Sequence, residues 1–208
     1  MLPVSQSFEM SELKNKMLNA LKVLCPLART AVRFEKVEAA SPEEIERLPF
    51  KSPVRAAEWL QARKLETLVR QDLLDTGVAQ DAIALSVSHT QFETESWVIV
   101  VGGDRRMGVD LEWRGRELSE KVFVRTVSEK EQWEGLKPLD YWVAKEAVFK
   151  SNPHNSGTTL PDYQVILWDT NLAMGEISYP GGFGRFKLVY SDVWLVGFAV
   201  SGAERNSV

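Results

Sequence analysis

Two acidic residues, Asp110 and Glu112, stand two positions apart in the segment Met107–Glu112. Apolar residues alternate there with a glycine and the two carboxylates, which predicts a β-strand with both acidic side chains on one face. Like charges this close repel each other unless a cation or a raised pKa compensates, and a bound metal ion is a common compensator. A solvated strand face is the alternative, and the pattern by itself leaves both interpretations open.

A second group of chemically capable residues lies further along the chain. Trp142, Lys145, Glu146, Phe149 and Lys150 follow the helical spacing i, i+3, i+4, i+7, i+8 and are predicted to form one stripe. Because this stripe mixes aromatic with charged side chains, it favours a helix face that borders a cleft. Alternatively, Glu146 and Lys150 form an ordinary i, i+4 ion pair on a solvated rim.

Three carboxylates and two lysines suit a hard cation that is bound together with a phosphate ligand. Mg²⁺ prefers oxygen ligands and commonly sits on one or two carboxylates plus substrate phosphates. Zinc fits poorly, because Cys25, His89 and His154 do not stand at zinc-site spacing. Phosphate-loop and dinucleotide glycine motifs do not occur, so a nucleotide would have to be held by side chains and strand ends.

His89 closes the segment Ser86–His89, which reads as the end of a strand. No nucleophile-elbow pattern accompanies it, so a catalytic triad is not indicated. Two interpretations remain open, namely an imidazole that binds phosphate and a structural histidine held by hydrogen bonds.

Hydrophobic periodicity and turn residues predict helices and strands in mixed order, which indicates an α+β fold. A serine at position 128 with Glu131 three residues later has the form of a capping box and predicts a helix start. The helices are predicted over 11–24, 54–75, from 128 and over 139–149, and the strands over 83–89, 96–101, 107–112, 163–168, 185–190 and 193–200, with 181–184 as a loop.

Composition narrows the class of protein. At 208 residues with 44% hydrophobic content, the chain can form one domain or two small ones. A single cysteine excludes a disulfide framework and predicts a cytoplasmic location, while the apolar runs are too short to span a membrane. A net charge of -4 argues against general nucleic-acid binding.

The two halves of the chain contain similar segments. Trp97–Val101 near the end of the first half resembles Trp194–Phe198 near the end of the second. Two aromatic-led buried strands can look alike by chance, so the similarity alone leaves an internal duplication open.

Four motifs occur in an order that is specific to one family: Ser86–Thr90 (Ser-Val-Ser-His-Thr), Gly108–Glu112 (Gly-Val-Asp-Leu-Glu), the Ser-Glu-Lys-Glu run that ends at Glu131, and Trp142–Ala147 (Trp-Val-Ala-Lys-Glu-Ala) with Lys150. In this order and approximate spacing the chain resembles the 4′-phosphopantetheinyl transferases, and specifically the surfactin-synthetase-activating type. The strong match spans about 86–150, and the flanks match loosely.

The resemblance implies a monomer in which two similar α/β halves pack about a pseudo-twofold axis. The halves would be residues 1–104 and residues 105–208, the second of which carries the metal motifs. The implied activity is Mg²⁺-dependent transfer of 4′-phosphopantetheine from coenzyme A to a serine of an apo acyl or peptidyl carrier protein, with release of 3′,5′-ADP.

The resemblance also assigns roles to residues. It implies Mg²⁺ ligation by Asp110, Glu112 and Glu146, with Glu146 as the catalytic base and Lys150 as a second catalytic residue. Coenzyme A would be contacted by Arg55, Arg63, Ser88, His89, Thr90, Lys145 and Lys150, of which the two lysines meet the diphosphate and His89 meets the 3′-phosphate. Of the two arginines, Arg63 is the better match to the family, and solvated helix charges are the alternative for both.

Two departures from the family pattern bear on the ligand contacts. The segment Asp75–Ala84 is short and lacks the lysine and proline that usually precede the histidine motif, and Ser151–Asn155 replaces a glycine-containing loop.

A non-catalytic coenzyme A-binding module and a Mg²⁺-dependent phosphohydrolase of a small nucleotide are the alternative functions. For the acidic carrier, Arg114, Arg116, Lys121 and Arg125 are candidates for a basic docking surface or for an ordinary solvated face.

Overall fold

A computed structural model describes residues 4–50, 52–127, 131 and 133–202, with side chains from residue 9 onward. Within these ranges the chain forms five α-helices and eight β-strands, and the strands assemble into two antiparallel sheets. The α+β class predicted from the sequence is confirmed. No helix in the described ranges is both long and apolar enough to cross a membrane.

The described elements mix helices with strands and end in a run of four strands. The helices are α1 (Val4–Leu24), α2 (Pro42–Glu46), α3 (Pro53–Asp75), α4 (Glu120–Thr126) and α5 (Pro138–Ser151). The strands are β1 (Thr30–Lys36), β2 (Ala84–Phe92), β3 (Glu95–Gly103), β4 (Met107–Trp113), β5 (Gln164–Asp169), β6 (Met174–Tyr179), β7 (Gly182–Tyr190) and β8 (Trp194–Ser201). Their order along the chain is α1, β1, α2, α3, β2, β3, β4, α4, α5 and β5 to β8. Short 3₁₀ helices cover Gln80–Ala82 and Leu160–Asp162.

The two sheets differ in size, and in both of them the first strand pairs with the last strand in the sequence. The three-stranded sheet has the order β1-β3-β2, and the five-stranded sheet has the order β4-β8-β7-β6-β5. In each sheet the strand that comes last in the chain lies between the first strand of that sheet and the strand that precedes it in the sequence. Strand β3 lies between β1 and β2, and β8 lies between β4 and β7. Helix α3 follows β1 and packs on β3, while α5 follows β4 and packs on β4 and β8.

The central core lies between the two sheets and α1. The apolar residues of β4 enter this core, where Val109 and Leu111 are fully buried beside Trp97 and Trp194. The alternation along β4 therefore sends its apolar residues to one face and Asp110 and Glu112 to the other, as the sequence predicts.

Helix α5 approaches the acidic face of β4 at Gly108. A Cβ atom at this position would lie 1.9 Å from the carbonyl oxygen of Ala147, closer than any side chain can stand. Since only glycine allows the helix backbone so near the strand, Gly108 brings α5, with Glu146 and Lys150, close to Asp110.

The two sheets meet where the edge strands β2 and β4 lie together. The Ser86 hydroxyl oxygen accepts a hydrogen bond from the Val109 amide at 3.1 Å, and the Ser88 hydroxyl oxygen accepts one from the Leu111 amide at 3.3 Å. Side chains thus satisfy backbone donors on the free edge of β4, which is a way to blunt an exposed sheet edge.

Most predicted elements are found, with differences at the less periodic segments. Strands β1 and β6 and helices α2 and α4 were not predicted from the sequence, and β7 begins at Gly182, inside the predicted loop over 181–184. Position 128, where a helix start is predicted, lies outside the described residues.

Candidate functional site

Asp110 lies at the centre of the candidate site, 5% exposed. Its Oδ1 accepts a hydrogen bond from the Ser88 hydroxyl at 2.8 Å and forms an ion pair with Lys150 Nζ at 2.7 Å. Its Oδ2 is buried and has no hydrogen-bond partner among the described residues. A buried carboxylate oxygen without a donor is costly and calls for a positively charged or hydrogen-bonding partner.

Glu112 lies one strand period further along and is also buried. The Thr90 hydroxyl donates to its Oε2 at 2.8 Å, and Arg116 forms an ion pair with its Oε1. Burial and the negative charge of Asp110 raise the pKa of Glu112 to about 7, although hydrogen bonds from Thr90 and Trp142 and the charge of Arg116 oppose that rise. Glu112 therefore changes charge near neutral pH.

Glu146 borders the same cluster from α5. Burial raises the pKa of its carboxyl group, and the charge of Asp110 raises it further, while Lys150 and Arg116 act in the opposite direction. Lys150 pairs with Asp110 and donates to Ser88 at 3.1 Å, and no i, i+4 ion pair forms between Glu146 and Lys150. The interpretation of these two residues as a surface ion pair does not hold.

A polar cavity of about 660 Å³ opens beside the carboxylates. Arg55 from α3 reaches His89 at the exposed edge of β2, with Nη1 to Nε2 at 2.6 Å, and Glu58 lies 3.6 Å from the same ring nitrogen. Partial burial, together with the nearby charges of Arg55 and Lys150, lowers the pKa of His89, so the imidazole is neutral at pH 7 and can accept from the guanidinium. Arg116 lines the same cavity, whose lining therefore offers two guanidinium groups and an imidazole to phosphate and also includes the Glu58 carboxylate.

Lys145 does not join this cluster. Its ammonium is fully buried, donates to the Thr126 carbonyl oxygen at 2.5 Å and forms an ion pair with Glu131 at 2.7 Å. The predicted contact between Lys145 and a diphosphate disagrees with this placement, because a fully buried and ion-paired ammonium cannot reach a ligand in the cavity. Successive helix residues point about 100° apart, so Lys145 and Glu146 belong to different faces.

Arg63 also lies apart from the cavity. It stands eight residues after Arg55 on α3, about 12 Å along the helix axis. There it pairs with Glu66 and stacks over the Trp59 ring at 5.3 Å. The structure therefore brings Arg55, and not Arg63, to His89.

The carboxylates suit a divalent cation by chemistry but are held by cationic side chains. Among the described residues, no three Asp, Glu, His or Cys side chains are arranged to hold a metal ion. Lys150 and Arg116 instead neutralise Asp110 and Glu112. The all-oxygen donor set and the unpartnered Oδ2 of Asp110 fit Mg²⁺.

Several residues that contribute to the candidate site were not assigned to it from the sequence. Ser86 secures the edge of β4, Trp142 donates to Glu112, and Arg116 stacks over the Trp142 ring at 5.6 Å. The i, i+2, i+4 spacing of Ser86, Ser88 and Thr90 was a signal that these hydroxyls share one face of a strand. From the sequence, Arg116 was a candidate for carrier docking and not for this site, and nothing local to the sequence indicated Glu58.

A comparison of the chain with protein-family models and with curated proteins found no match.

Proposed function

We propose that this chain is a 4′-phosphopantetheinyl transferase that moves the phosphopantetheine arm of coenzyme A onto a serine of an apo acyl or peptidyl carrier protein. The observation that carries the proposal is the convergence on Asp110 of Ser88 from β2 and Lys150 from α5. These residues come from three of the four motifs that resemble the family, and they meet around a buried carboxylate with one unpartnered oxygen.

The cavity beside the carboxylates supports a phosphorylated ligand. The lining of this cavity includes cationic or hydrogen-bonding groups from Arg55, His89 and Arg116. Guanidinium groups match phosphate oxygens in pairs, and a neutral imidazole can gain a proton when a phosphate approaches. The 3′-phosphate and the diphosphate of coenzyme A supply anions for these groups.

Asp110, Glu112 and Glu146 would hold Mg²⁺, and the ion, when bound, supplies positive charge that polarises the diphosphate. Lys150 would then shift from Asp110 toward a phosphate oxygen. Arg116 is similarly able to exchange Glu112 for phosphate, since its side chain is about two-fifths exposed at 42%.

The chemical step transfers a phosphoryl-linked group. The carrier serine Oγ forms a bond to the β-phosphorus while the bond from that phosphorus to the bridging oxygen breaks, and 3′,5′-ADP leaves with the electron pair. Glu146 takes the serine proton. Burial and the charge of Asp110 raise its pKa, which makes its carboxylate a stronger base than an exposed glutamate.

The connectivity of the two halves supports a pseudo-twofold fold, with the division near residue 104. The strand orders β1-β3-β2 and β4-β8-β7 correspond when β5 and β6 are treated as an insertion after α5. The similar segments that begin at Trp97 and Trp194 then occupy equivalent central strands, and their rings lie 5.2 Å apart between centroids. Equivalent residues touch each other when they lie near a twofold axis.

The carrier would dock near the link that leads from β4 into α4. Arg114 is engaged with the Ser191 carbonyl and the Tyr190 ring, and Arg116 belongs to the cavity. Lys121 and Arg125 remain exposed on α4 beside Val124, which is 69% exposed. An acidic helix with an apolar residue would complement this surface.

The decisive experiment combines the protein with coenzyme A, Mg²⁺ and an apo carrier protein. Transfer adds about 340 Da to the carrier, the mass of the phosphopantetheine group. Asp110→Asn should lower the transfer rate at least about 100-fold, because it removes the charge at the centre of the site. Asp81→Asn, the same change at an exposed carboxylate in the 3₁₀ helix Gln80–Ala82, should leave the rate unchanged.

A coenzyme A-binding module without turnover is the second candidate. The observation that favours it is the pairing of both strand carboxylates with Lys150 and Arg116, with no assembled metal site in the described residues. Calorimetry separates the two candidates. Binding of coenzyme A without any mass gain on a panel of apo carriers would overturn the transferase and favour the module.

A further inference from the structure

A second cavity, of about 670 Å³, lies at the other end of β4. It is lined by Arg105 and Arg106 from the link before β4, by Arg185 of β7, and by the turn Tyr179–Gly182. Arg106 and Glu112 stand six residues apart along extended chain, about 20 Å, so this cavity is separate from the candidate active site. Its size is typical of a small-molecule site.

The described lining of this cavity is positively charged. Three arginines and His154 line it, and no Asp or Glu is among the lining residues that the structure describes. Asp104 lies near Cys25 but outside the lining, and its Oδ2 accepts a hydrogen bond from the Arg29 amide. In a chain whose net charge is -4, the cavity therefore brings three guanidinium groups together without a carboxylate in its described lining. Like charges gathered in one concavity repel each other and attract a multivalent anion.

Arg185 provides a second and independent observation. Its Nε is buried and has no acceptor among the described residues, while its Nη2 makes one long contact, 3.4 Å, to the Leu24 carbonyl oxygen. A buried donor on a charged group costs free energy unless an acceptor meets it. An anion in the cavity would supply that acceptor.

Arg105 and Arg185 line the same cavity as Cys25. Burial raises the pKa of the Cys25 thiol, the charges of Arg105 and Arg185 oppose that rise, and the charge of Asp104 adds to it. Two arginines that line one cavity can bind a single tetrahedral anion together.

Apolar surface completes the cavity. Leu24, Val200 and Pro180 line it together with the Tyr179 ring. A bare inorganic ion would leave this surface unfilled, whereas an organic phosphate fills both parts, with its charge on the arginines and its body against the apolar wall.

We propose that this cavity binds a small organic phosphate, a phosphate monoester with an apolar or aromatic body, at a site separate from the carboxylate cluster. Three guanidinium groups without a carboxylate favour a doubly charged phosphate over a singly charged carboxylate. The proposal stands on the cavity alone and does not depend on the transferase activity.

The test is calorimetric titration of the full chain with phenyl phosphate, with benzoate and phenol as matched ligands. We expect one phenyl phosphate per chain with a Kd below about 1 mM, and binding of benzoate at least about tenfold weaker. Phenol should give no heat of binding. Equal affinity for benzoate would overturn the choice of phosphate.

Variants locate the site. Arg185→Gln and the exposed pair Arg105→Gln/Arg106→Gln should each weaken phenyl phosphate at least about tenfold, whereas Arg70→Gln, which removes one exposed charge elsewhere, should not. Arg55→Gln tests the other cavity, and loss of binding in that variant alone would overturn the proposal. The exposed pair keeps the test valid if Arg185→Gln does not fold.

Cys25 gives an independent readout, because it is the only cysteine in the chain and lines the same cavity. Bound phenyl phosphate should slow alkylation of this thiol by iodoacetamide several-fold. An unchanged rate at a saturating ligand concentration would contradict binding at this place.

Discussion

At the scale of single residues, each carboxylate of the cluster has a different partner. Asp110 is shared by Ser88 and Lys150, Glu112 is held by Thr90 and Arg116, and Glu146 borders both. Because the partners are side chains that can turn toward a ligand, the cluster can exchange internal ion pairs for contacts to a cation and to phosphate. In this arrangement, burial and the charge of Asp110 raise the pKa of Glu112 and of Glu146.

His89 should report phosphate binding directly. Partial burial and nearby cations lower its pKa in the free protein, and a phosphate that contacts the ring would stabilise the protonated form. We expect the His89 pKa to rise when coenzyme A binds, and coenzyme A affinity to rise as pH falls toward 6. NMR titration in a His154→Gln background, which leaves His89 as the only histidine, measures the pKa with and without coenzyme A, and calorimetry at several pH values measures the affinity. A pKa that does not move with ligand would separate His89 from the phosphates.

Glu112 should make stability depend on pH in a metal-free buffer. Its pKa is about 7 in the folded chain, against about 4.3 in unfolded chains. A raised carboxyl pKa gives a contribution that is fully present below the unfolded pKa and is lost as pH rises through the folded pKa. Between pH 5 and 8 the wild type should lose up to about 3 kcal/mol of unfolding free energy relative to Glu112→Gln.

Urea denaturation of both proteins across this pH range measures the difference. The difference should become smaller when Mg²⁺ is added, since a cation favours the ionised carboxylate. Parallel pH profiles for the two proteins would show that Glu112 ionises at its ordinary pKa.

At the scale of elements, a buried ion pair fixes α5. Lys145 joins the end of α4 at Thr126 to Glu131, whose Oε1 accepts from the Val165 amide of β5 at 2.6 Å. Glu131 therefore holds the link between α4 and α5 against the larger sheet. Helix α5 in turn carries Glu146 and Lys150, so the pair positions two residues that it does not contact.

Lys145→Met should destabilise the chain by about 3–5 kcal/mol, because it removes the ammonium that pairs with the buried Glu131 carboxylate. Replacing both partners, as in Lys145→Met/Glu131→Gln, should recover much of that loss. Thermal denaturation measures both variants. In the double variant, coenzyme A should bind with nearly the wild-type Kd, whereas a direct contact of Lys145 with the diphosphate would predict a large increase in Kd.

At the scale of the whole molecule, residues 1–104 and residues 105–208 both contribute to the central core, and each part also has a core cluster of its own. Ile99 and Val101 of β3 pack with Val196 and Phe198 of β8 and with α1, and Ser86 and Ser88 join β2 to the edge of β4. Each half therefore covers an apolar sheet face and a free strand edge of the other. A cleft that takes one wall from α3 and β2 and another from β4 and α5 depends on both.

Fragments 1–104 and 105–208 should not fold when expressed separately, because each would expose the apolar face that includes Trp97 or Trp194. Co-expression should restore a complex with native-like circular dichroism and tryptophan fluorescence. A cooperative thermal transition in an isolated fragment would show that the half is an independent domain.

The sequence by itself determined the local features of this protein. Period-two alternation placed Asp110 and Glu112 on one face of β4, and helical periodicity located α3 and α5, because these patterns depend on residues a few positions apart. The sequences of β1 and β6 lack a strong period-two alternation, and these segments become strands because they pair with neighbouring strands of the sheets.

Only the tertiary structure decided which residues meet. Lys145 and Glu146 are neighbours in sequence, yet one faces Glu131 in the interior and the other faces the carboxylate cluster. Arg55 contacts His89, whereas Arg63 stacks over Trp59 about two turns further along α3. Only the part of α3 that carries Arg55 lies next to His89 on β2. Such choices depend on the rotation and position of whole elements, which are set by contacts between residues far apart in the chain.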